Sequence, residues 1–149
     1  MEVPIKMARE ARKEDLEEIL NLYLCLHEES IHEQSPCLSD TWKQTLEDEN
    51  HHLIVNEVAG KIVSSCVCVI IPNLTRNVRP YAFLENVVTH KHFREQGLAS
   101  ECLEYARQIA KQCNCYKRIR QHLSNGLIFK YNYIYSYLIS FIDYIHRNL

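Results

Sequence analysis

Leu84-Glu85-Asn86-Val87-Val88-Thr89-His90-Lys91-His92-Phe93-Arg94-Glu95-Gln96-Gly97-Leu98-Ala99-Ser100 opens as an apolar, β-branched strand, turns through polar and basic residues, and reaches a glycine from which an amphipathic helix starts. Leu98, Cys102, Ala106, Ile109 and Cys113 recur on one face of that helix. A helix N-terminus presents unpaired backbone N–H groups and the positive end of a dipole, so Gly97, Leu98, Ala99 and Ser100 make a seat for a phosphate or pyrophosphate. Gly97 lets the backbone come close to such a ligand. One glycine and one arginine also suit a plain strand-to-helix turn. The more specific signal is the ordered set Arg94-x-x-Gly97-x-Ala99, directly after Val87-Val88-Thr89.

Working outward, 149 residues suit a single domain with one core, spanning 1–149. A formal charge of -2 and a pI near 6.4 leave no basic footprint, so nucleic acid is not an expected ligand. Met1 to Lys6 has no apolar signal core, which predicts a cytoplasmic protein, and the seven cysteines agree with a reducing compartment. Cys66-x-Cys68 lies on a predicted strand with both thiols on one face, and Cys113-x-Cys115 closes a helix. With no second pair or histidine at zinc spacing, these read as small packing residues rather than metal ligands, as do Cys25, Cys37 and Cys102. Asn73-Leu74-Thr75 matches a glycosylation sequon that has no meaning in the cytoplasm.

In chain order, Ile5 to Arg9 reads as an edge strand, and Lys13-Glu14-Asp15 starts a helix whose core stripe is Leu16, Ile19, Leu20, Tyr23 and Leu24. Glu28 to Ser39, with Pro36, reads as a loop, and Ser39-Asp40 caps a second helix through Trp42, Thr45 and Leu46. Two strands, His52–Val58 and Lys61–Ile71, flank an Ala59-Gly60 hairpin turn. Arg76 and Arg79 on the next loop are either solvated or a clamp for an anionic acceptor. The strand from Tyr81 follows, with Glu85 and Asn86 on opposite faces by simple alternation.

The Arg94-x-x-Gly97-x-Ala99 set resembles the coenzyme-A-binding motif of the GNAT N-acetyltransferases, and the order β, α, α, β, β, β, α resembles the first part of their fold. The resemblance covers about residues 6–117. It implies an α/β fold, a mixed β-sheet flanked by helices, and a transferase that moves acetyl from acetyl-CoA to a primary amine of a small molecule or peptide. Acetyl-CoA would be held by Val87, Val88 and Thr89 in a pseudo-strand manner, and by Arg94, Glu95, Gln96, Gly97, Leu98, Ala99 and Ser100 at its phosphates. In catalysis, Glu85 is the first choice for the base that takes the amine proton, and the Val88 N–H for the donor to the oxyanion. His90 and His92 have suitable chemistry but read as exposed turn residues. The helix pair near the N-terminus would wall the acceptor pocket. Glu85 to Thr89 resembles the corresponding strand of amino-sugar-phosphate acetyltransferases; polyamines, antibiotics and protein N-termini stay open as acceptors.

The resemblance stops after Lys117. The family's fifth strand and the helix carrying Asn, Ala and Tyr have no counterpart in Arg118 to Gly126, and Tyr131 and Tyr133 are only nearby candidates for the general acid. Arg118 to Leu123 can be encoded as AGA ATA AGG CAA CAC TTA, which from its third base reads Asn-Lys-Ala-Thr-Leu, much like the missing helix. A frameshifted product with an atypical tail at 118–149 is therefore one reading, and a non-catalytic CoA-binding or interaction module is another. The tail is too short and too polar to span a membrane, and its apolar residues predict that it either pairs as an irregular strand or packs against a second copy in a homodimer.

Overall fold

Apolar runs rich in valine, isoleucine and cysteine build one five-stranded sheet in the order β1 (Met7–Glu10), β2 (His51–Val58), β3 (Lys61–Ile71), β4 (Tyr81–Thr89), β5 (Arg118–Arg120). The first three pairings are antiparallel and β4 with β5 is parallel. The computed structural model describes residues 7–26, 30 and 33–120. Ile5 and Lys6, and the tail from 121 with Tyr131, Tyr133 and the expected homodimer contact, lie outside the described residues. Residues 118–120 form the fifth strand, parallel to β4, so the start of the tail pairs as a strand, one of its two expected outcomes.

β3 is buried on both faces from Ile62 to Cys68, because helices cover both sides. On one side α3 (Leu98–Gln112) lays Cys102, Ala106 and Ala110 over Ile54, Cys66, Cys68 and Leu84. On the other, α1 (Leu16–Tyr23) lays Ile19 and Leu22 over Leu53, Val55, Val67 and Val88. Odd and even positions of β2 thus feed separate cores, as the two-residue strand period requires. Of the expected α3 stripe, Cys113 is exposed because the helix ends at Gln112. Of the expected α1 stripe, Ile19 is core while Leu24 is 40 % exposed.

α2 (Pro36–Glu47) begins earlier than Ser39, and Pro36 is inside the helix rather than in a loop. Proline fits the first helical position, where its missing N–H has no acceptor and its fixed φ is already helical. Ser35 is the cap: its hydroxyl accepts the Leu38 N–H at 3.2 Å. Cys37, in this first turn, is exposed rather than packed. The hairpin turn forms as expected, with Ala59 at φ 52° and Gly60 at φ 77°, the positive values that a two-residue turn demands.

Near the sheet edge the Asp15 carboxylate is 7 % exposed and collects the Arg12 N–H at 2.6 Å and Arg9 Nη1 and Nη2 at 2.6 and 3.1 Å. Arg9 Nη2 also reaches Glu57 at 2.8 Å, tying β1 to β2. Burial pushes the Asp15 pKa up, but the bonds from Arg9 and Arg12 outweigh it and hold the pKa below the usual carboxylate value. A lowered folded-state pKa means that this contribution is complete above the unfolded value near ~4 and is lost as pH falls through the folded one. Asp15→Asn is expected to lose about 1–3 kcal/mol at pH 7 in urea unfolding, with the gap to wild type closing as pH drops below ~4.

Candidate active site

β4 has one residue more than β3 can pair. Val67 faces Glu85 and Ser65 faces Val88, so Asn86 and Val87 together lie opposite Cys66. Asn86 takes φ 50° to absorb the extra residue, a left-handed conformation that asparagine tolerates better than most side chains. The bulge changes which face each side chain uses. Glu85, across from Val67, stands on the α1 side, and Asn86 lines a cavity on that same side instead of the opposite one. Val87 packs into the α3-side core.

The bulge also decides which amides are free. His90 N–H donates to Val63 O at 2.8 Å, and counting back along the antiparallel register makes Val88 and Ser65 the next hydrogen-bonded pair. The Val88 carbonyl is turned to β3 accordingly, where Ser64 Oγ donates to it at 2.9 Å. The Val88 N–H, expected to meet an oxyanion, is therefore directed to β3. Val87 and Thr89 direct theirs to the other edge, which β5 pairs only as far as Leu84 among the described residues.

That edge runs into the turn. Arg94 Nε donates to Thr89 O at 3.3 Å, folding its side chain back along the strand end. Glu95 at φ 61° and Gly97 at φ 81° then swing the chain into α3, whose first turn has no side-chain cap. Arg94, Glu95, Gln96, Gly97 and Ser100 are exposed, Ala99 is half-buried and Leu98 is buried. Exposed, uncapped N–H groups at a helix start are an anion seat. Beneath it, Asn56 Nδ2 donates to Glu101 Oε2 at 2.7 Å, and Ser64 Oγ meets Thr89 Oγ1 at 2.8 Å. Asn56 and Ser64, both fully buried, thus tie the half-buried Glu101 and Thr89, at the helix start and strand end, to the sheet. His90 is half-buried, ring against ring with His92 and Phe93. Its pKa is lowered by burial and by the cationic neighbours His92, Lys91, Lys61 and Arg94.

On the α1 side a cavity of about 210 Å³ opens between α1, α2 and the sheet. Leu16, Leu20 and Tyr23 line it, so part of the stripe read as core is a cavity wall. Burial pushes the Tyr23 hydroxyl up to about 12, opposed by the Ser65 hydroxyl and helped by the Cys66 and Glu85 charges. Tyr23 therefore stays protonated near neutrality, a donor close to Glu85. The helix pair is expected from sequence to wall an acceptor pocket, but there Tyr23 reads as core and Trp42 only as part of the second helix, because helical spacing is the same for packing and lining residues; His51 at the start of β2 carries no such signal. Arg79 is not at this site: its guanidinium donates to Asn114 O and Cys115 O past the end of α3.

The sequence profile of the acetyltransferase (GNAT) family matches residues 15–126, running past Lys117. The chain belongs to the GNAT family of acetyltransferases. A protein of Agrobacterium tumefaciens described as an acetyltransferase is 29 % identical, with TM-score 0.73 over 89 % of each chain. Glucosamine-6-phosphate N-acetyltransferase from Arabidopsis thaliana is similar in fold, with TM-score 0.73 at 20 % identity over 87 % of this chain and 98 % of its own. An aminoglycoside N-acetyltransferase in complex with CoA superposes with TM-score 0.69 at 16 % identity, over 93 % of this chain and 87 % of its own. The fold class, a mixed sheet flanked by helices, is that of the GNAT family. Among the described residues no helix is long and apolar enough to cross a membrane.

A Cβ at Gly97 would meet nothing within 4 Å, so the constraint there is its positive φ alone. Gly97→Ala is expected to cost ~1 kcal/mol in chemical denaturation, and Gly97→Asn less, because asparagine is better suited to the left-handed region.

Proposed function

We propose that the protein transfers acetyl from acetyl-CoA to a primary amine. What supports the reading most is the continuity of the β4 edge with the uncapped start of α3: amides of Val87 and Thr89 lie along one line that ends at the Arg94 to Ser100 turn. A pantetheine arm matches the strand edge, and a pyrophosphate matches the helix start. The residues present thus fit acetyl-CoA, which supplies the activated acetyl thioester when bound. Val87, Thr89 and Arg94 to Ser100 would hold it; Val88, with its amide toward β3 and its side chain in the core under α1, braces the strand from behind.

The chemistry then falls to groups at the bulge. Glu85, half-buried on the same face of the sheet as the cavity, takes the proton of the ammonium group directly or through a water, leaving a nucleophilic amine. The Val87 N–H replaces Val88 as the donor to the charge that develops on the carbonyl oxygen, because its amide faces the free edge. The acceptor enters between α1 and α2, with Tyr23 and Asn86 beside the reacting nitrogen.

Glu85→Gln is expected to lower kcat about a hundredfold or more and to remove the acid limb of the pH-rate profile. An unchanged profile would take the role of base away from Glu85. Gly97→Glu, which adds bulk and negative charge at the phosphate turn, is expected to weaken CoA binding at least tenfold in calorimetry, and unchanged affinity would place the cofactor elsewhere.

A further inference from the structure

The cavity between α1 and α2 bears on which amine is used. We propose that the acceptor is a monoamine with a compact apolar body, an arylalkyl or alkyl amine, seated there with its nitrogen toward Glu85; this rests on the acetyl-transfer reading above.

Size comes first. At about 210 Å³ the cavity is below the roughly 300–1,000 Å³ of ordinary small-molecule pockets, so it suits one ring or a short chain rather than a linked set of sugars. Charge comes second. Among the described residues no Asp, Glu, Lys or Arg lines it. A phosphorylated amino sugar needs a cation for its phosphate, and a polycationic aminoglycoside or polyamine needs carboxylates for its further ammonium groups. Neither is provided. Surface chemistry comes third. Leu16, Ile19, Leu20, Leu38, Leu53 and Val67 with Tyr23 and Trp42 form most of the wall, and the α2 residues Thr41 and Thr45 add two hydroxyls, too few to pair with the several hydroxyls of a sugar.

The few polar groups are placed for one small head. Asn86 stands at the bulge beside Glu85. The His51 side chain is part of the lining, while its Nδ1 is buried out of contact with the open space and has no partner among the described residues. Glu85 is outside the lining but on the same face of the sheet, directly across from Val67, which is in the wall. One carboxylate beside an apolar cavity complements a single ammonium on an apolar body.

Trp42 is the chain's single tryptophan and lies in the cavity wall, so its emission reports occupancy without any chemistry. The full chain would be titrated with phenethylamine and hexylamine, and in parallel with glucosamine 6-phosphate, kanamycin and spermidine, while acetyl-CoA binding and acetyl transfer are measured on the same samples. The expected result is a saturable change in Trp42 emission with phenethylamine or hexylamine, at a Kd at least tenfold below those of the three polar amines, and the same order in kcat/KM. Thr45→Phe, which fills the cavity from α2, should weaken both apolar amines at least tenfold and leave acetyl-CoA affinity unchanged. Preference for a polar amine in binding or turnover would overturn the inference while leaving acetyl transfer intact. So would emission that responds to protein concentration rather than to amine, which would mean that a second copy fills the cavity. Saturable binding of phenethylamine with no acetyl transfer to any amine would overturn the transfer reading and leave the ligand class of the cavity standing.

Discussion

Asn86 and Val87 share a single partner, Cys66, and the rest of the site depends on that mismatch. In a regular strand Glu85 and Asn86 would face opposite layers, and every second amide would turn to β3 without interruption. The bulge instead brings a carboxylate and an amide side chain to the same layer, beside a cavity, while leaving neighbouring backbone N–H groups on the exposed edge. A carboxylate and backbone N–H groups of the strand edge are thereby set side by side within five residues. Bulges also strengthen local twist.

The start of α3 is fixed to the sheet by polar contacts. Asn56, Ser64 and Thr89 lie on neighbouring strands in register and form a polar row under the first turn of α3, the first two fully buried. Glu101 comes down onto that row, so the helix start is hydrogen-bonded to the sheet as well as packed on it. At the far end Arg79 holds the carbonyls of Asn114 and Cys115. Apolar packing by Cys102 and Ala106 alone would permit the helix to slide by a fraction of a turn; polar contacts at both ends set its register.

Much of this was legible in the residues. The glycine-opened helix, the long β-branched strands and the Ala59-Gly60 turn all carry local signals, and local signals were enough for the order of elements along the chain as far as α3. The start of α2 was misread because proline was weighed as a loop residue, although Ser35-Pro36 is equally a cap followed by a first helical position. The face of Asn86 and the direction of the Val88 amide were beyond reach, since a bulge is a mismatch between two strands and neither strand alone records it. Tyr23 and Trp42 were hidden by a different ambiguity: a helical stripe has the same spacing whether it meets a core or a cavity.

β1 is four residues long and is overlaid by the Arg9, Asp15 and Glu57 cluster. Short, charged edge strands resist pairing with foreign strands. Among the described residues, strand addition is therefore directed to the β4–β5 side of the sheet. A body with one adhesive edge is limited in what it can build. Two copies joined edge to like edge about a twofold axis use up both edges and close, whereas a filament needs a second, different edge to continue. Among the described residues, the salt-bridged first strand thus leaves no second edge on which strand addition could continue.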